Sequence, residues 1–337
     1  LSRSRCILFA VLTSILSSVA TIFKVQGVQY VNPLVAACAG VLFAGLLTLA
    51  YLAVTKDLPS WKSILSVRRP LFMLTMCRPV LSNTIFTIGL SYSSAVEAVF
   101  LTKMEPYLVI FWAWILDKAR PTGNHLALLL VHVAGAILLS LGKSDMHGGV
   151  SWMGDLIIVC AVVTAALSYR YAPHVTTTLK PLQTAAVAET LGGLITLPLI
   201  FFAPPMTFSH HEMVAWMNLG IHSILFYILS ISLLYASLQG IEGWLSSALR
   251  ATGPLVATPL ALLVLGETLT PTQIVGALTV LVTSALISKR DKRRAQSPEA
   301  SKPTDQQDPS RAAQISQPTP SLVADPAPAE PRGVKIS

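Results

Sequence analysis

Residues Phe100–Asp117 read FLTKMEPYLVIFWAWILD, an apolar run that suits a lipid bilayer yet carries charges near its middle. Lys103 and Glu105 stand two positions apart, and Pro106 follows directly. An ionisable side chain at bilayer depth costs several kcal/mol even on lenient insertion scales. Such a group of residues therefore indicates a functional or structural polar break within a membrane protein.

The composition of the whole chain indicates an integral membrane protein. Hydrophobic residues make up 53% of the 337 residues and charged residues 12%, which is unlike a soluble enzyme. Runs of roughly 20 apolar residues, the length of a membrane-crossing helix, lie at 6–23, 33–54, 70–91, 95–116, 121–141, 152–170, 182–203, 215–237, 242–265 and 270–288. These runs are continuous rather than alternating, which argues against a β-barrel. The sequence therefore predicts an all-α protein with ten transmembrane helices.

Basic residues alternate between the predicted loops. The chain ends and the even-numbered loops carry most of the Lys and Arg residues, whereas the odd-numbered loops carry only Lys24 and Lys143. This bias predicts a multi-pass protein of the cytoplasmic (plasma) membrane with both termini on the cytoplasmic side. Topology thus accounts for the net charge of +8, and the expected surroundings are membrane lipids rather than nucleic acid.

Nothing in the sequence points to a bound cofactor. The four cysteines lie in predicted spans without metal-ligand spacing, and no GxxxxGK[ST] phosphate loop occurs. We expect no metal, no cofactor and no catalytic residue. Residues 291–337 are rich in Pro, Ser, Ala and Gln, a composition that predicts a disordered cytoplasmic tail.

The two halves of the chain share a pattern. Gly89–Thr122 (GLSYSSAVEAVFLTKMEPYLVIFWAWILDKARPT) and Ser237–Thr272 (SLQGIEGWLSSALRATGPLVATPLALLVLGETLTPT) each have a mid-span proline, then an acidic residue and a second proline. They contain the fourth and ninth spans, so the second copy must cross the membrane in the opposite sense. We predict two inverted five-helix repeats, 1–145 and 146–290, with a solute site near the midplane between them.

Three stretches carry a resemblance to a known family: GLSYSSAVEAVFLTKMEP in the first half, LGETLTPTQIVGALTVLVTSALIS in the second and GDLIIVCAVVTAALSYRY at the sixth span. Through them the chain resembles the EamA-type proteins of the drug/metabolite transporter superfamily, over about residues 6–288. The resemblance implies a bundle of ten helices with a central cavity that works by alternating access. It also implies transport driven by an ion gradient or by exchange, without nucleotide hydrolysis.

Ionisable residues inside the predicted spans are the candidates for the solute pathway. Those near mid-span are Arg78 in the third span, Lys103 and Glu105 in the fourth, and Arg250 in the ninth. We interpret them, with Tyr107, as residues that line or frame the pathway, and the alternative is a set of internal ion pairs that hold the helices in register. Glu97 lies nearer the outer end of its span, where solvation at the interface is an equally good reading.

The two mid-span prolines are candidate helix breaks. Pro106 and Pro254 cannot bond the carbonyl four positions earlier, and in lipid that carbonyl needs protein, water or a ligand. On a straight helix Lys103 and Glu105 point roughly 160° apart. Either Pro106 unwinds the span locally, or the two side chains contact different neighbours.

The expected function is secondary active transport of a small polar metabolite, amino-acid-like, zwitterionic or anionic, by export or exchange. A carboxyl group in a partly dry cavity can cycle between charge states, so Glu105, and secondarily Glu189, are the candidates for proton coupling. A permanently paired Glu would be useless as a proton carrier. The rival readings are a membrane scaffold and a lipid-modifying enzyme. The sequence leaves open whether the protein works as a homodimer.

Overall fold

The computed structural model describes residues 2–118, 123–141, 152–203, 210–250, 253–266 and 269–295. Within these ranges the chain is helical, without a β-strand, as predicted. Residues Leu1–Asp291 form one compact unit. The predicted boundary between the repeats, at residue 145, lies outside the described residues, as do Glu267 of the second motif and residues 296–337 of the predicted tail. The first residues of that tail, 291–295, are not disordered but form the end of the helix Pro271–Ala295.

Helices of the first half begin at capping residues that the sequence supplies. The Asn32 side chain accepts the backbone N–H of Leu34, and Ser94 and Glu97 form a capping box, so orphan N–H groups of the first turn are satisfied. The elements are α1 (Arg3–Val28), α2 (Pro33–Val54), α3 (Trp61–Ser66), α4 (Arg68–Thr75), a π-helical segment (Met76–Ser82), α5 (Asn83–Leu90), α6 (Ala95–Leu101), a 3-10 turn (Thr102–Met104), α7 (Glu105–Asp117) and α8 (Gly123–Leu141).

Helices of the second half repeat this organisation. Two of them begin with a proline, Pro181 and Pro271. Proline is tolerated there because the first N–H groups of a helix have no intrahelical acceptor. The elements are α9 (Trp152–Thr176), α10 (Pro181–Thr196), a 3-10 segment (Leu197–Phe202), α11 (His210–Ser223), a π-helical segment (Ile224–Ser230), α12 (Ile231–Ser237), α13 (Gly243–Leu249), α14 (Gly253–Val264) and α15 (Pro271–Ala295).

Most of the predicted spans are present as long apolar helices. In the described part of the chain, eight segments are long and apolar enough to cross a membrane: Arg3–Val28, Pro33–Val54, Arg68–Leu90, Ala95–Asp117, Trp152–Thr176, Pro181–Phe202, His211–Ser237 and Gly243–Val264. They coincide with eight of the ten predicted spans. The other two fall on α8 and α15, whose apolar stretches, Ala127–Leu139 and Pro271–Thr283, are shorter.

Many large apolar side chains of the spans are exposed, while several ionisable side chains are buried. Phe201 is 89% exposed and Leu263 82%, whereas Lys24 is 2% and Glu105 5% exposed. Water would penalise this distribution, because large exposed apolar surface is rare on soluble monomers. A lipid bilayer favours it, so the exposure pattern agrees with the hydropathy of the spans.

The two halves interlock reciprocally. Helix α1 packs against α11, α12 and α14 of the second half, while α9, its counterpart five spans later, packs against α4, α5 and α7 of the first. Helix α2 packs along α10. The third and eighth spans each contain a π-helical segment, and the fourth and ninth are each interrupted near a proline. The same irregularities therefore recur at a spacing of five spans.

Small residues allow α2 and α10 to approach closely. An added Cβ at Gly193 would lie 2.7 Å from the Cα atom of Leu42. At Gly45 it would lie 2.5 Å from the backbone nitrogen of Thr190. Helices in membranes commonly associate through such glycines, because backbones can then pack directly on one another.

Two charged residues differ from the sequence-based expectation. Lys24 was expected in the first external loop, but α1 extends to Val28 and buries Lys24 inside the bundle. Glu97, which interfacial water could have solvated, is 1% exposed and accepts a hydrogen bond from Nε2 of Gln273 at 3.2 Å. The capping box and this contact place Glu97 in the packing between α6 and α15.

Candidate functional site

A cavity lies between the two halves of the helical unit. The empty space within it, including the part open to solvent, is about 850 Å³. Charged residues from the first, third, fourth, seventh and ninth spans line it, namely Lys24, Arg78, Glu105, Glu189 and Arg250. The predicted residues Arg78, Glu105 and Arg250 thus meet at one site, and Lys24 joins them.

Glu105 is the centre of a buried ion-pair network. Its Oε1 atom accepts a hydrogen bond from Nη2 of Arg78 at 3.1 Å, and its Oε2 atom accepts one from Nη1 of Arg250 at 2.5 Å. The Tyr169 hydroxyl lies 3.1 Å from the same Oε2 atom. One carboxylate therefore satisfies two guanidinium groups and a phenol, and both carboxylate oxygens are occupied.

The π-helical segment positions Arg78 for this network. Its Nε atom donates to the Ser168 hydroxyl at 2.9 Å, and its guanidinium carbon lies 5.4 Å from the centre of the Tyr169 ring. The π-helical turn, which contains Pro79, is wider than an α-helical turn and includes Arg78. Single π turns often occur at functional sites. Arg78 and Glu105 belong to the first half of the chain, and Tyr169 and Arg250 to the second.

Lys103 is not among the residues that line the cavity. Its ammonium donates to the backbone carbonyl of Arg250 at 3.0 Å, and the Ser14 hydroxyl donates to the same oxygen. This is the carbonyl that Pro254 cannot bond, and it lies at the C-terminal end of α13. A cation is favourable there because the helix dipole concentrates negative charge at that end.

The fourth span is interrupted where Pro106 predicts a break. The backbone N–H of Glu105 bonds the carbonyl of Thr102 in a 3-10 turn, so this freed carbonyl also has a protein partner. Lys103 and Glu105 contact different groups, as the second of the two alternatives requires. The break is a 3-10 turn rather than an unwound segment, and the contacts of the two side chains agree with the second alternative.

A second polar cluster, missed by the sequence analysis, surrounds Lys24. Its ammonium donates to Oδ1 of Asn83 at 2.8 Å and lies 3.5 Å from the Tyr227 hydroxyl. It also lies 5.5 Å from the centre of the Phe86 ring, a cation–π distance. The available signal was that no proline or charged residue follows Lys24 within Val25–Val28, so a helix can continue there.

Two predicted residues have contrasting positions. Glu189 lines the cavity, is 3% exposed, and neither of its carboxylate oxygens has a hydrogen-bond partner among the described residues. Tyr107 does not line the cavity. Its ring packs against His132 with centroids 4.7 Å apart, and His132 contacts the Thr283 hydroxyl at 2.9 Å. Tyr107 therefore belongs to the packing between helices.

The cavity contains charged and polar groups that could bind a solute. In the part of the chain that the structure describes, no group of three or more His, Cys, Asp or Glu side chains could hold a metal ion. Three cations and two carboxylates line the space. Because Glu105 is held by both arginines, the charges without a partner of opposite sign are Lys24 and Glu189.

Comparison with known proteins gives a family. The model of the EamA-like transporter family matches residues 4–141 and again residues 152–289. The chain belongs to the EamA-like transporter family. The two matches cover the two halves of the chain, each of which contains a π-helical segment and an interrupted span. This EamA-like protein is therefore a multi-pass membrane protein of a transporter family.

One relative and one solved structure are similar to this chain. The protein described as uncharacterized inner membrane transporter YicL, from Salmonella typhimurium, is 26% identical over 263 residues, which cover 75% of this chain and 84% of the relative. A crystal structure with 18% identity superposes with a TM-score of 0.59 and covers 87% of this chain and 99% of that chain. At that identity the likeness shows the fold alone. Family and relative both point to a transporter rather than an enzyme.

Proposed function

We propose that this EamA-like protein is a secondary active transporter that moves a small polar metabolite, zwitterionic or anionic, by export or exchange. The observation that carries the proposal is the charged cavity enclosed by helices of both halves. In alternating access, movement of one half against the other opens such a cavity to one side of the membrane at a time. An excess of cationic over carboxylate groups on its wall favours a solute with negative charge.

The proposed topology has ten spans in two inverted repeats, 1–145 and 146–290, with both termini cytoplasmic. Helices α8 and α15 are its fifth and tenth spans. The reciprocal packing of α1 and α9 supports the repeat arrangement, as do the π-helical segments in the third and eighth spans. The distribution of Lys and Arg supports the orientation.

The Glu105 network is proposed to link the halves during the transport cycle. It joins Arg78 of the first half to Tyr169 and Arg250 of the second. The Nε atom of Arg250 is buried without a hydrogen-bond partner among the described residues. A solute that entered the cavity could occupy this donor, and the carboxylate would then exchange partners as the halves move.

Glu189, rather than Glu105, is the carboxyl group that we propose for proton coupling. Releasing Glu105 to carry a proton would leave two buried guanidinium groups without a counter-ion, which is strongly unfavourable. The carboxylate of Glu189 makes no hydrogen bond to the described residues. The other titratable groups that line the cavity are Lys24, Arg78, Glu105, His222, Tyr227, Tyr235 and Arg250.

Replacing Glu189 with Gln is expected to abolish the response of transport to a pH gradient, because the amide cannot take up or release a proton. Solute accumulation in proteoliposomes, driven by an imposed pH gradient, measures this. Asp57→Asn is the control, since Asp57 pairs with Lys180 at an exposed position away from the cavity. An unchanged gradient response in Glu189→Gln would exclude Glu189 as the coupling group.

The proposed function is tested in two steps on the purified full chain. A thermal-shift screen against polar metabolites identifies ligands, because binding to the folded state raises the melting temperature by mass action. Counterflow of each radiolabelled hit into proteoliposomes then measures transport. We expect hits to be exchanged across the membrane, also by a chain ending at Ala295. Binding without counterflow in either chain would favour a scaffold or a receptor.

A further inference from the structure

Lys24 is a buried cation without a counter-ion among the described residues. Its side chain is 2% exposed, and the ion pairs of the described residues do not include it. The two arginines of the cavity differ from it, because each bonds Glu105. Glu189 lines the same cavity, but its oxygens make no hydrogen bond and so do not reach the ammonium.

The groups around Lys24 position its ammonium without neutralising its charge. Oδ1 of Asn83 accepts hydrogen bonds from Lys24 and from the Tyr227 hydroxyl, and Nδ2 of Asn83 donates to the carbonyl of Ala37 at 3.0 Å. The ammonium nitrogen lies 5.5 Å from the centre of the Phe86 ring and 5.9 Å from the centre of the Tyr227 ring. An ammonium has three donors, and the Asn83 bond, with the long contact to Tyr227, leaves at least one of them free.

The Lys24 ammonium belongs to the wall of the cavity. Lys24, Asn83, Phe86 and Tyr227 all line the cavity. A buried charge normally has a partner of opposite sign, because desolvation without one costs several kcal/mol. Glu189, the other unpaired charge of the cavity, makes no hydrogen bond to the ammonium, so a bound anionic ligand is a source of negative charge that can contact it directly.

We propose that Lys24, held by Asn83 and Tyr227, binds the anionic group, carboxylate or phosphate, of the transported solute. This inference rests on the proposed transport function and assigns its substrate class. The solute is an anion or a zwitterion whose negative group enters the cavity beside α1 and α5. Neutral solutes of the same shape leave the ammonium uncompensated and bind weakly.

The test compares matched probes on the detergent-purified full chain. Each pair differs in negative charge and little else: L-lactate against L-lactamide, and glycerol 3-phosphate against glycerol, with inorganic phosphate as a further probe. We expect at least one anionic probe to raise the melting temperature and its neutral counterpart to leave it unchanged. Equal stabilisation by both members of a pair, or by no anionic probe at millimolar concentration, overturns the proposal.

Variants assign the effect to Lys24. We expect Lys24→Gln to lose the response to the anionic probe and Lys24→Arg to retain part of it, because Arg keeps the charge. Lys180→Gln is the matched control, since it removes a Lys whose side chain is 66% exposed. A response of Lys24→Gln equal to that of the wild type overturns the proposal. If Lys24→Gln does not fold, the paired probes on the wild type still decide.

Two further arms separate this inference from the proposed function. Stabilisation by phosphatidylglycerol over phosphatidylcholine, without any response to the soluble anions, assigns Lys24 to a lipid headgroup and overturns the solute site. Counterflow of a solute that persists unchanged in Lys24→Gln keeps the transporter and overturns the Lys24 site. Binding of an anion at Lys24 without counterflow keeps the site and overturns transport.

Discussion

Glu105→Gln is expected to destabilise the folded protein by about 3–5 kcal/mol, as found when one partner of a buried ion pair is removed. The amide is neutral, so the guanidinium groups of Arg78 and Arg250 lose their shared counter-ion while they stay buried. Tyr169 also loses a charged acceptor. Thermal unfolding of the detergent-purified protein, followed by tryptophan fluorescence, measures the loss.

Asp117→Asn is the matched control, because it makes the same acid-to-amide change at the other end of the same helix. Asp117 pairs with Arg170, but the two side chains are 48% and 36% exposed. Exposed ion pairs typically contribute less than about 1 kcal/mol, so its melting temperature should stay close to that of the wild type. Equal losses in Glu105→Gln and Asp117→Asn would mean that the Glu105 network is not the stabilising feature inferred here.

The fold was largely predictable because lipid imposes simple rules. Long apolar runs mark the spans, and eight of the ten predicted runs coincide with membrane-length helices of the described residues. Helix ends were harder to predict, because a helix can continue beyond the last residue of an apolar run. The extension of α1 from residue 23 to Val28 is the case that mattered, since it moved Lys24 from a loop into the protein interior.

The charged residues of the site were predictable, but their partners were not. Membrane cost alone selects Arg78, Glu105 and Arg250, and these meet as one network. Which groups they contact depends on π turns and helix crossings that a sequence pattern does not encode. Lys103 shows this limit. Its position near the middle of the fourth span suggested a pathway residue, but its ammonium donates to the backbone carbonyl of Arg250 at the end of α13.

Close packing of α2 on α10 gives the second large expectation. Gly193→Ala is predicted to destabilise the protein by roughly 1–3 kcal/mol, the usual effect of overpacking, because the new Cβ would lie 2.7 Å from the Leu42 Cα atom. A flexible side chain could move aside, but backbone cannot without separating the helices. The change should also reduce transport, since Glu189 lies one turn earlier on the same face of α10. Thermal unfolding and counterflow measure the two effects.

Gly220→Ala separates this packing effect from the general effect of replacing glycine in a helix. Gly220 lies in α11 with no atom within 4 Å of an added Cβ, so alanine should stabilise that helix by up to about 1 kcal/mol through its higher helix propensity. The same substitution is thus expected to have opposite signs at the two positions. If Gly193→Ala proved as stable as Gly220→Ala, then α2 and α10 would not be in backbone contact. Glu189 would in that case owe its place in the cavity to something other than this helix pair.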